Sequence, residues 1–174
     1  EIALLSSIAE PDYGIITNVG KAHLEGFGSF EGVQKTKSEL YASVAKTGKH
    51  IFLNKGNEYL RKMAKLNGFE NPEAEFCYAI GEERNDCDTT GEIKKCDPLL
   101  SVEIKTKNQA KFEVNTKLIG SYNTENILAA VTIGKHFGLS EEQIKSGLEK
   151  YTPQNNRSQL TITEHNKLVV DAYN

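Results

Sequence analysis

The first 66 residues alternate between helical and strand-like patterns of hydrophobic positions. Apolar side chains recur at helical spacing in residues 2–9, 30–45 and 57–66. Between them lie two short β-rich apolar runs, 13–18 (YGIITN) and 50–54 (HIFLN). Alternation of this kind is typical of βαβ units, so the sequence predicts an α/β fold with a mostly parallel sheet.

The pattern changes between residues 75 and 118. Three strand-like runs, AEFCYAI, LLSVEIKT and AKFEVNTKL, lie in this range, and a polar stretch rich in Asp, Thr and Gly separates the first two. Strand runs joined by short polar connections favour antiparallel pairing. We therefore expect residues 75–118 to form a small antiparallel β-rich insert within a single domain that spans residues 1–174.

Helical spacing returns after Gly120. It predicts a helix over 124–137 and another over 141–151 with Ser140 as its N-cap. Two short strand-like runs follow, 159–163 and 167–171, and their spacing predicts a hairpin.

Composition and charge narrow the function classes. The 174 residues carry 21 basic and 24 acidic side chains, a net charge of −3. This near-neutral mixture gives no electrostatic footprint for nucleic acid or for an anionic membrane surface. No apolar run approaches the roughly 20 residues needed to cross a bilayer, and no signal peptide is evident, so we expect a cytoplasmic protein. Because the chain begins with Glu rather than Met, we expect it to be a segment of a longer polypeptide.

Lys37 stands out because it lies inside an apolar stripe. The other members of that helix face are Phe30, Val33, Leu40, Tyr41 and Val44. Burying a lysine disfavours its charged form and makes the neutral amine available for covalent chemistry. The alternative is a lysine whose stem follows the apolar face while its ammonium reaches water.

The segment TNVGKAHLEGFGS follows the strand run 13–18 and carries several polar side chains. Ligands of open α/β sheets bind at the carboxyl ends of strands, so Thr17, Asn18 and His23 are well placed to meet one. His23 is a candidate metal ligand, although a loop histidine is more often a surface residue. Its proximity to Lys37 in sequence strengthens the metal interpretation.

A second candidate site lies in LIGSYNTENILAA. Asn123 is placed to cap the following helix, and Asn126 lies one turn further along the same face. An asparagine amide offers a donor and an acceptor that match N6 and N7 of adenine. Capping alone is a sufficient explanation for Asn123, so the adenine interpretation depends more on Asn126.

Two further residues suit a nucleotide. Arg157, in NNRSQ, could clamp a phosphate, and Asp171, at the end of KLVVD, could accept hydrogen bonds from ribose hydroxyls. A surface arginine and a turn or N-cap aspartate are the alternatives. The chain contains no GxxxxGK[ST] motif, so if it handles ATP, its phosphate loop lies outside these residues.

Taken together, four segments resemble the central ATPase domain of the Mur ligases: PDYGIITNVGKAHLEGFGSFEGVQKTKSEL, LIGSYNTENILAAVTIGKHFGL, NNRSQ and VVDAYN. Within that family, the resemblance is to ligases that add D-alanyl-D-alanine to UDP-N-acetylmuramoyl-tripeptide in peptidoglycan synthesis. It implies part of a P-loop-type ATPase domain, with ATP and Mg²⁺ as cofactors and an acyl phosphate intermediate. The segment alone is expected to be inactive, because the amino-terminal half of that domain is missing.

The resemblance also implies roles for the candidate residues. Lys37 would be carbamylated and, with His23, would bind the metal ion. Asn123 and Asn126 would bind adenine. Arg157 would contact the ATP phosphates and Asp171 would bind the ribose. Thr17 and Asn18 would line the phosphate and substrate cleft. Two positions depart from the family pattern: Tyr122 replaces a common histidine, and Asn156 replaces a common glycine.

Three alternatives stay open. The chain could derive from a sister Mur ligase or a folylpolyglutamate synthase, whose substrate is set largely outside these residues. It could be a noncatalytic remnant that binds a nucleotide or a protein partner. A metal hydrolase built on a carbamylated lysine ranks last, because several metal-binding histidines would be expected and only His23 is well placed. Self-association is also expected if half of a parallel sheet is missing, since an unpaired edge would be exposed.

Overall fold

The computed structural model describes residues 1–20, 29–47, 50–70, 75–81, 84, 86–107, 109–153, 159–162 and 164–170. The chain divides into two compact units, Glu1–Ala79 and Ile80–Asn174. We call them unit 1 and unit 2.

Unit 1 is built around parallel strands. In chain order its described elements are α1 (Ile2–Ala9), β1 (Tyr13–Ile15), α2 (Phe30–Lys46), β2 (His50–Asn54), α3 (Glu58–Leu66) and β3 (Glu75–Ile80). The strand β2 lies in the middle and pairs in parallel with β1 and with β3; Phe52 stands opposite Ile15 on one side and Phe76 on the other. The predicted α/β class with parallel strands is therefore confirmed.

The core of unit 1 lies between the strands and the helices α2 and α3. Val33, Tyr41 and Val44 of α2 are buried, as predicted for the apolar stripe, and they belong to one cluster with Ile51 and Leu53 of β2. Both helices begin at side-chain caps that follow from local sequence. Ser29 Oγ accepts from the Gly32 amide, and Asn57 Oδ1 accepts from the amides of Tyr59 and Leu60.

The first strand is shorter than its apolar run. The sequence predicts a strand over 13–18, but β1 ends at Ile15. Ile16 and Val19, beyond that end, are nevertheless buried in the core cluster of unit 1. Their hydrophobicity therefore serves packing rather than strand pairing, which the pattern alone does not distinguish.

Unit 2 contains an antiparallel meander of β4 (Thr89–Cys96), β5 (Leu99–Thr106) and β6 (Phe112–Ile119). The strand β4 lies within the stretch that the sequence analysis left as a polar connection. Its residues from Glu92 to Cys96 are exposed, so they lack the alternating apolar signal. Gly91 allows a close approach, because a Cβ there would lie 2.7 Å from a methyl carbon of Leu128.

Two helices and a hairpin complete the described part of unit 2. They are α4 (Asn123–His136), α5 (Glu141–Lys150), β7 (Gln159–Ile162) and β8 (Lys167–Val170), and β7 pairs antiparallel with β8. The predicted N-cap Ser140 is confirmed, and it forms a capping box: Ser140 Oγ accepts from the Gln143 amide, and the Gln143 side chain accepts from the Ser140 amide. Among the described residues, no helix is long and apolar enough to cross a membrane.

Candidate active site

Lys37 lies near the middle of α2, one turn from the buried Val33 and one turn from the buried Tyr41. Its side chain is half-buried, and its Nζ donates a hydrogen bond to the backbone oxygen of Asn18 at 2.7 Å. The stem therefore follows the apolar face of the helix, while the nitrogen is held at the main chain. This combines features of the two alternatives that the sequence left open.

Thr17 and Asn18 lie just beyond the carboxyl end of β1, and both are exposed. The structure thus brings Lys37 to the carboxyl end of β1, where the sequence analysis predicts that a ligand binds. His23 lies outside the described residues, and so do Arg157 and Asp171. Within the ranges that the structure describes, no group of three or more His, Cys, Asp or Glu side chains could hold a metal ion.

A carbamate on Lys37 would add hard oxygen donors at the carboxyl end of β1. Mg²⁺ prefers oxygen ligands. Asn18 offers a side-chain oxygen, Thr17 offers a hydroxyl, and a carbamate would replace the Lys37 ammonium with a carboxylate-like group. The end of Lys37 reaches residues that are exposed, so CO₂ has access to it without crossing the core.

A cavity of about 510 Å³ lies in unit 2, between α4, α5 and the end of β6. Its lining is mostly apolar, with two asparagine amides and two tyrosine rings: Leu118, Tyr122, Asn123, Asn126, Ile127, Ala130, Gly147, Leu148, Tyr151 and Pro153. A mostly apolar cavity with a few fixed polar groups is typical of a small-molecule site. The structure therefore places both predicted adenine contacts, Asn123 and Asn126, at one cavity.

The expected capping role of Asn123 is wrong. Tyr122 is the N-cap of α4 and makes no side-chain cap bond, whereas Asn123 is already helical. Its Nδ2 donates backwards to the Ile119 oxygen at 2.8 Å, and its Oδ1 accepts from Asn126 Nδ2 at 3.2 Å. These bonds fix the orientation of both amides. Asn126 remains exposed, which keeps its own oxygen and its second N–H available to a ligand.

Tyr122 and Tyr151 line the cavity and were not assigned to the site from the sequence. They are 58% and 54% exposed, so both rings present aromatic surface at the cavity. Gly120, at φ +89°, leaves room for the Tyr122 ring, since a Cβ there would lie 2.5 Å from the ring carbon Cε1. The only sequence signal for Tyr151 is an aromatic residue at a helix end, directly before Thr152 and Pro153.

Among the described residues of unit 1, Tyr41 and Glu75 have pKa values that their surroundings shift. Burial raises the pKa of the Tyr41 phenol far above its ordinary value, and the nearby Tyr78 adds to the rise. Burial also raises the pKa of the Glu75 carboxyl, against the opposing influence of Lys55. Tyr41 therefore stays neutral at ordinary pH, and the Glu75 carboxyl keeps its proton to a higher pH than its ordinary pKa would give.

Comparison with known proteins identifies the family. The model of the Mur ligase middle domain matches residues 1–134, more than half of the chain. This chain belongs to the Mur ligase family. A UDP-N-acetylmuramoyl-tripeptide–D-alanyl-D-alanine ligase from Mycobacterium tuberculosis (strain ATCC 25618 / H37Rv) is 31% identical over 180 residues, which cover 99% of this chain and 33% of that protein.

Solved structures agree with this assignment of fold. A crystal structure of MurF from Acinetobacter baumannii matches with a TM-score of 0.80 at 24% identity, covering 99% of this chain and 36% of that one. A MurF ligase from Thermotoga maritima in complex with ADP matches with a TM-score of 0.76, also at 24% identity, covering 99% and 38%. This Mur ligase domain thus spans about a third of the curated relative that it matches.

Proposed function

We propose that this chain is part of an ATP-dependent ligase that joins D-alanyl-D-alanine to UDP-N-acetylmuramoyl-tripeptide in peptidoglycan synthesis. The observation that carries this proposal is the 31% identity to a ligase of that name over 99% of the chain. In this reaction a substrate carboxylate takes the γ-phosphoryl group of ATP, and the amine of the dipeptide then displaces phosphate from the acyl phosphate. Its location in the cytoplasm stays a prediction.

The adenine of ATP is assigned to the cavity of unit 2. The Asn126 amide supplies an acceptor for the adenine N6 amino group and a donor for N7, and Asn123 holds that amide in its orientation. The tyrosine rings at the cavity provide stacking surfaces. The ADP complex of the Thermotoga MurF supports a nucleotide in this fold. Arg157 and Asp171 keep their proposed roles toward phosphate and ribose.

Lys37 is the proposed acceptor of CO₂ in unit 1. Its neutral amine forms an N–C bond to CO₂ and releases one proton to solvent, which leaves an anionic carbamate. Together with His23, this group would hold Mg²⁺, and Thr17 and Asn18 would line the phosphate and substrate cleft. When bound, the ion supplies charge stabilisation for the phosphoryl group and for the developing acyl oxygen. The apolar wall of Val33 and Tyr41 fixes the stem of Lys37, so that the nitrogen stays at the strand edge.

The test is phosphate release by the protein encoded by the complete gene, supplied with ATP, Mg²⁺, UDP-N-acetylmuramoyl-tripeptide and D-alanyl-D-alanine. Each acceptor is omitted in turn, and the product is identified by mass. Release that needs both acceptors supports the proposal. Release with another amino acid or with a folate acceptor would instead favour a sister ligase or a folylpolyglutamate synthase.

The same assay tests two narrower points. Residues 1–174 alone are expected to give no turnover, and measurable turnover would contradict that. ATP binding by the complete protein without release under any acceptor condition would favour the noncatalytic, nucleotide-binding alternative.

A further inference from the structure

Two side-chain hydrogen bonds join Asn126, through Asn123, to the main chain at the end of β6. Asn123 Nδ2 donates to the backbone oxygen of Ile119 at 2.8 Å, and Asn126 Nδ2 donates to Asn123 Oδ1 at 3.2 Å. Both asparagines line the cavity of unit 2, where Asn123 is half-buried and Asn126 is exposed. A ligand in the cavity therefore has access to the Asn126 amide, and Asn123 supports that amide from behind.

The main chain decides how both amides are turned. A backbone oxygen can only accept a hydrogen bond, so Asn123 directs its NH₂ group toward Ile119 and its oxygen toward Asn126. Asn126 then directs an N–H toward Asn123, because two amide oxygens facing each other would repel. The orientation of the exposed amide is thus fixed by a group that no side-chain substitution removes.

The hydrogen bond to Asn123 limits what Asn126 can offer to a ligand. A side-chain amide has two N–H donors and one oxygen that accepts. Asn126 uses one N–H on Asn123, which leaves one N–H and the oxygen. Adenine presents one acceptor, N7, beside one donor, the N6 amino group, whereas a 6-oxopurine presents two neighbouring acceptors, N7 and O6. The remaining groups of Asn126 match adenine, and a 6-oxopurine would need both N–H donors.

We infer that Asn123 is a positioning residue that determines base specificity: by occupying one N–H of Asn126, it makes the cavity select a 6-aminopurine nucleotide against a 6-oxopurine nucleotide. This inference rests on the proposed binding of adenine in the cavity of unit 2. Asn123 needs no contact with the base for this effect. A base that covers Asn126 also excludes water from the bond between the two asparagines, which strengthens that bond.

The experiment compares ADP and inosine diphosphate (IDP) binding to the complete protein by isothermal titration. The base of IDP is hypoxanthine, a 6-oxopurine without the additional amino group of guanine. We expect wild-type protein to bind ADP about tenfold to a hundredfold more tightly than IDP. In Asn123→Ala both N–H donors of Asn126 are free to reach N7 and O6, so this preference should fall to about threefold or less.

Two further variants separate specificity from a general loosening of the fold. Asn67→Ala, in unit 1, removes another asparagine that donates to the backbone oxygen four residues earlier, that of Met63, at 2.7 Å, and it should keep the wild-type preference. Asn123→Asp keeps an oxygen for the Asn126 N–H and should retain most of the preference for ADP. A loss of stability weakens the apparent binding of both nucleotides alike, so the ratio of the two dissociation constants is the quantity compared.

A further measurement needs only wild-type protein. In 7-deaza-ADP a C–H group replaces N7, so the remaining Asn126 N–H loses its acceptor, and we expect binding about fivefold or more weaker than that of ADP. Equal binding of ADP and 7-deaza-ADP would overturn the inference.

The nucleotide titrations also distinguish failure of the inference from failure of the proposed function. If wild-type protein binds ADP and IDP equally, or if Asn123→Ala binds ADP with the wild-type preference over IDP, the inference is wrong and the proposed ligase function stands. If wild-type protein binds neither nucleotide, the proposed function fails and the inference fails with it.

Discussion

The Lys37 ammonium donates a 2.7 Å hydrogen bond to the main-chain oxygen of Asn18, 19 residues away. A main-chain carbonyl is present whatever side chain follows β1, so this bond holds the lysine end without depending on the identity of the loop residues. Carbamylation of the ammonium releases two protons to solvent, one to give the neutral amine and one when that amine bonds to CO₂. The carbamate nitrogen keeps one N–H, so the contact that positions the nitrogen is compatible with the proposed modification.

Replacing Lys37 with alanine in the complete protein is expected to reduce phosphate release by at least about a hundredfold, as for the loss of one group that stabilises charge in a transition state. Added bicarbonate or short carboxylates should restore part of the rate by supplying the missing anionic oxygens. The control is Lys35→Ala, an exposed lysine two residues earlier on the opposite helix face. A Lys37→Ala protein at the wild-type rate would remove the carbamate from the mechanism.

Tyr122 and Tyr151 are expected to stack on adenine. Tyr122→Ala should weaken ADP binding by about fivefold to a hundredfold, the range seen when an aromatic partner of a base is lost. Tyr122→Phe keeps the ring and should bind within about twofold of wild type. Isothermal titration with ADP measures both variants. Equal affinity in Tyr122→Ala would exclude the ring from the site.

Alanine substitutions at Gly147 and Gly138 show how backbone conformation alone affects stability, because both sites have room for a Cβ. A Cβ meets nothing within 4 Å at Gly147 or at Gly138, but Gly138 has φ +80°. Gly147→Ala lies inside α5 and should stabilise the fold by roughly 1 kcal/mol through helix propensity. Gly138→Ala should destabilise it by about 1–2 kcal/mol, because the left-handed conformation strains a Cβ. Urea denaturation measures both, and a stabilising Gly138→Ala would contradict the assigned backbone.

Gly147 also lines the cavity of unit 2. Gly147→Leu should therefore fill part of that space and weaken ADP binding by more than about tenfold while the fold is retained. Gly147→Ala serves as the control with the smaller side chain. Unchanged ADP affinity in Gly147→Leu would place the nucleotide elsewhere.

Glu75 should make stability depend on pH. Burial raises its pKa in the folded state, so folding favours the protonated form. This contribution is fully present below the ordinary carboxyl pKa and is lost as the pH rises through the folded value. Glu75→Gln should therefore raise Tm at pH 7 and give no gain near pH 4. Glu92→Gln, at an exposed residue of β4, should show no such pH-dependent gain. An equal gain at both pH values would contradict the raised pKa.

Local signals in the sequence were enough for several elements. The strand β2 and the helix α1 have the predicted bounds, and α5 begins at its predicted cap, Ser140. These features depend on neighbouring residues: a run of apolar side chains, a capping hydroxyl, or a helical repeat. The stripe around Lys37 was found in the same way.

Other features depended on residues far apart in the chain. The polar strand β4 forms because β5 supplies its hydrogen bonds, which no signal within Thr89–Cys96 reveals. Asn123 bonds backwards to Ile119 instead of capping its helix, because the turn at Gly120 brings that carbonyl within reach. Whether Lys37 ends in water or on a main-chain oxygen depended on how β1 and α2 pack together. Periodicity determines on which face of a helix or strand a side chain lies. The residues that it contacts on that face come from distant parts of the chain, so only the tertiary structure decides them.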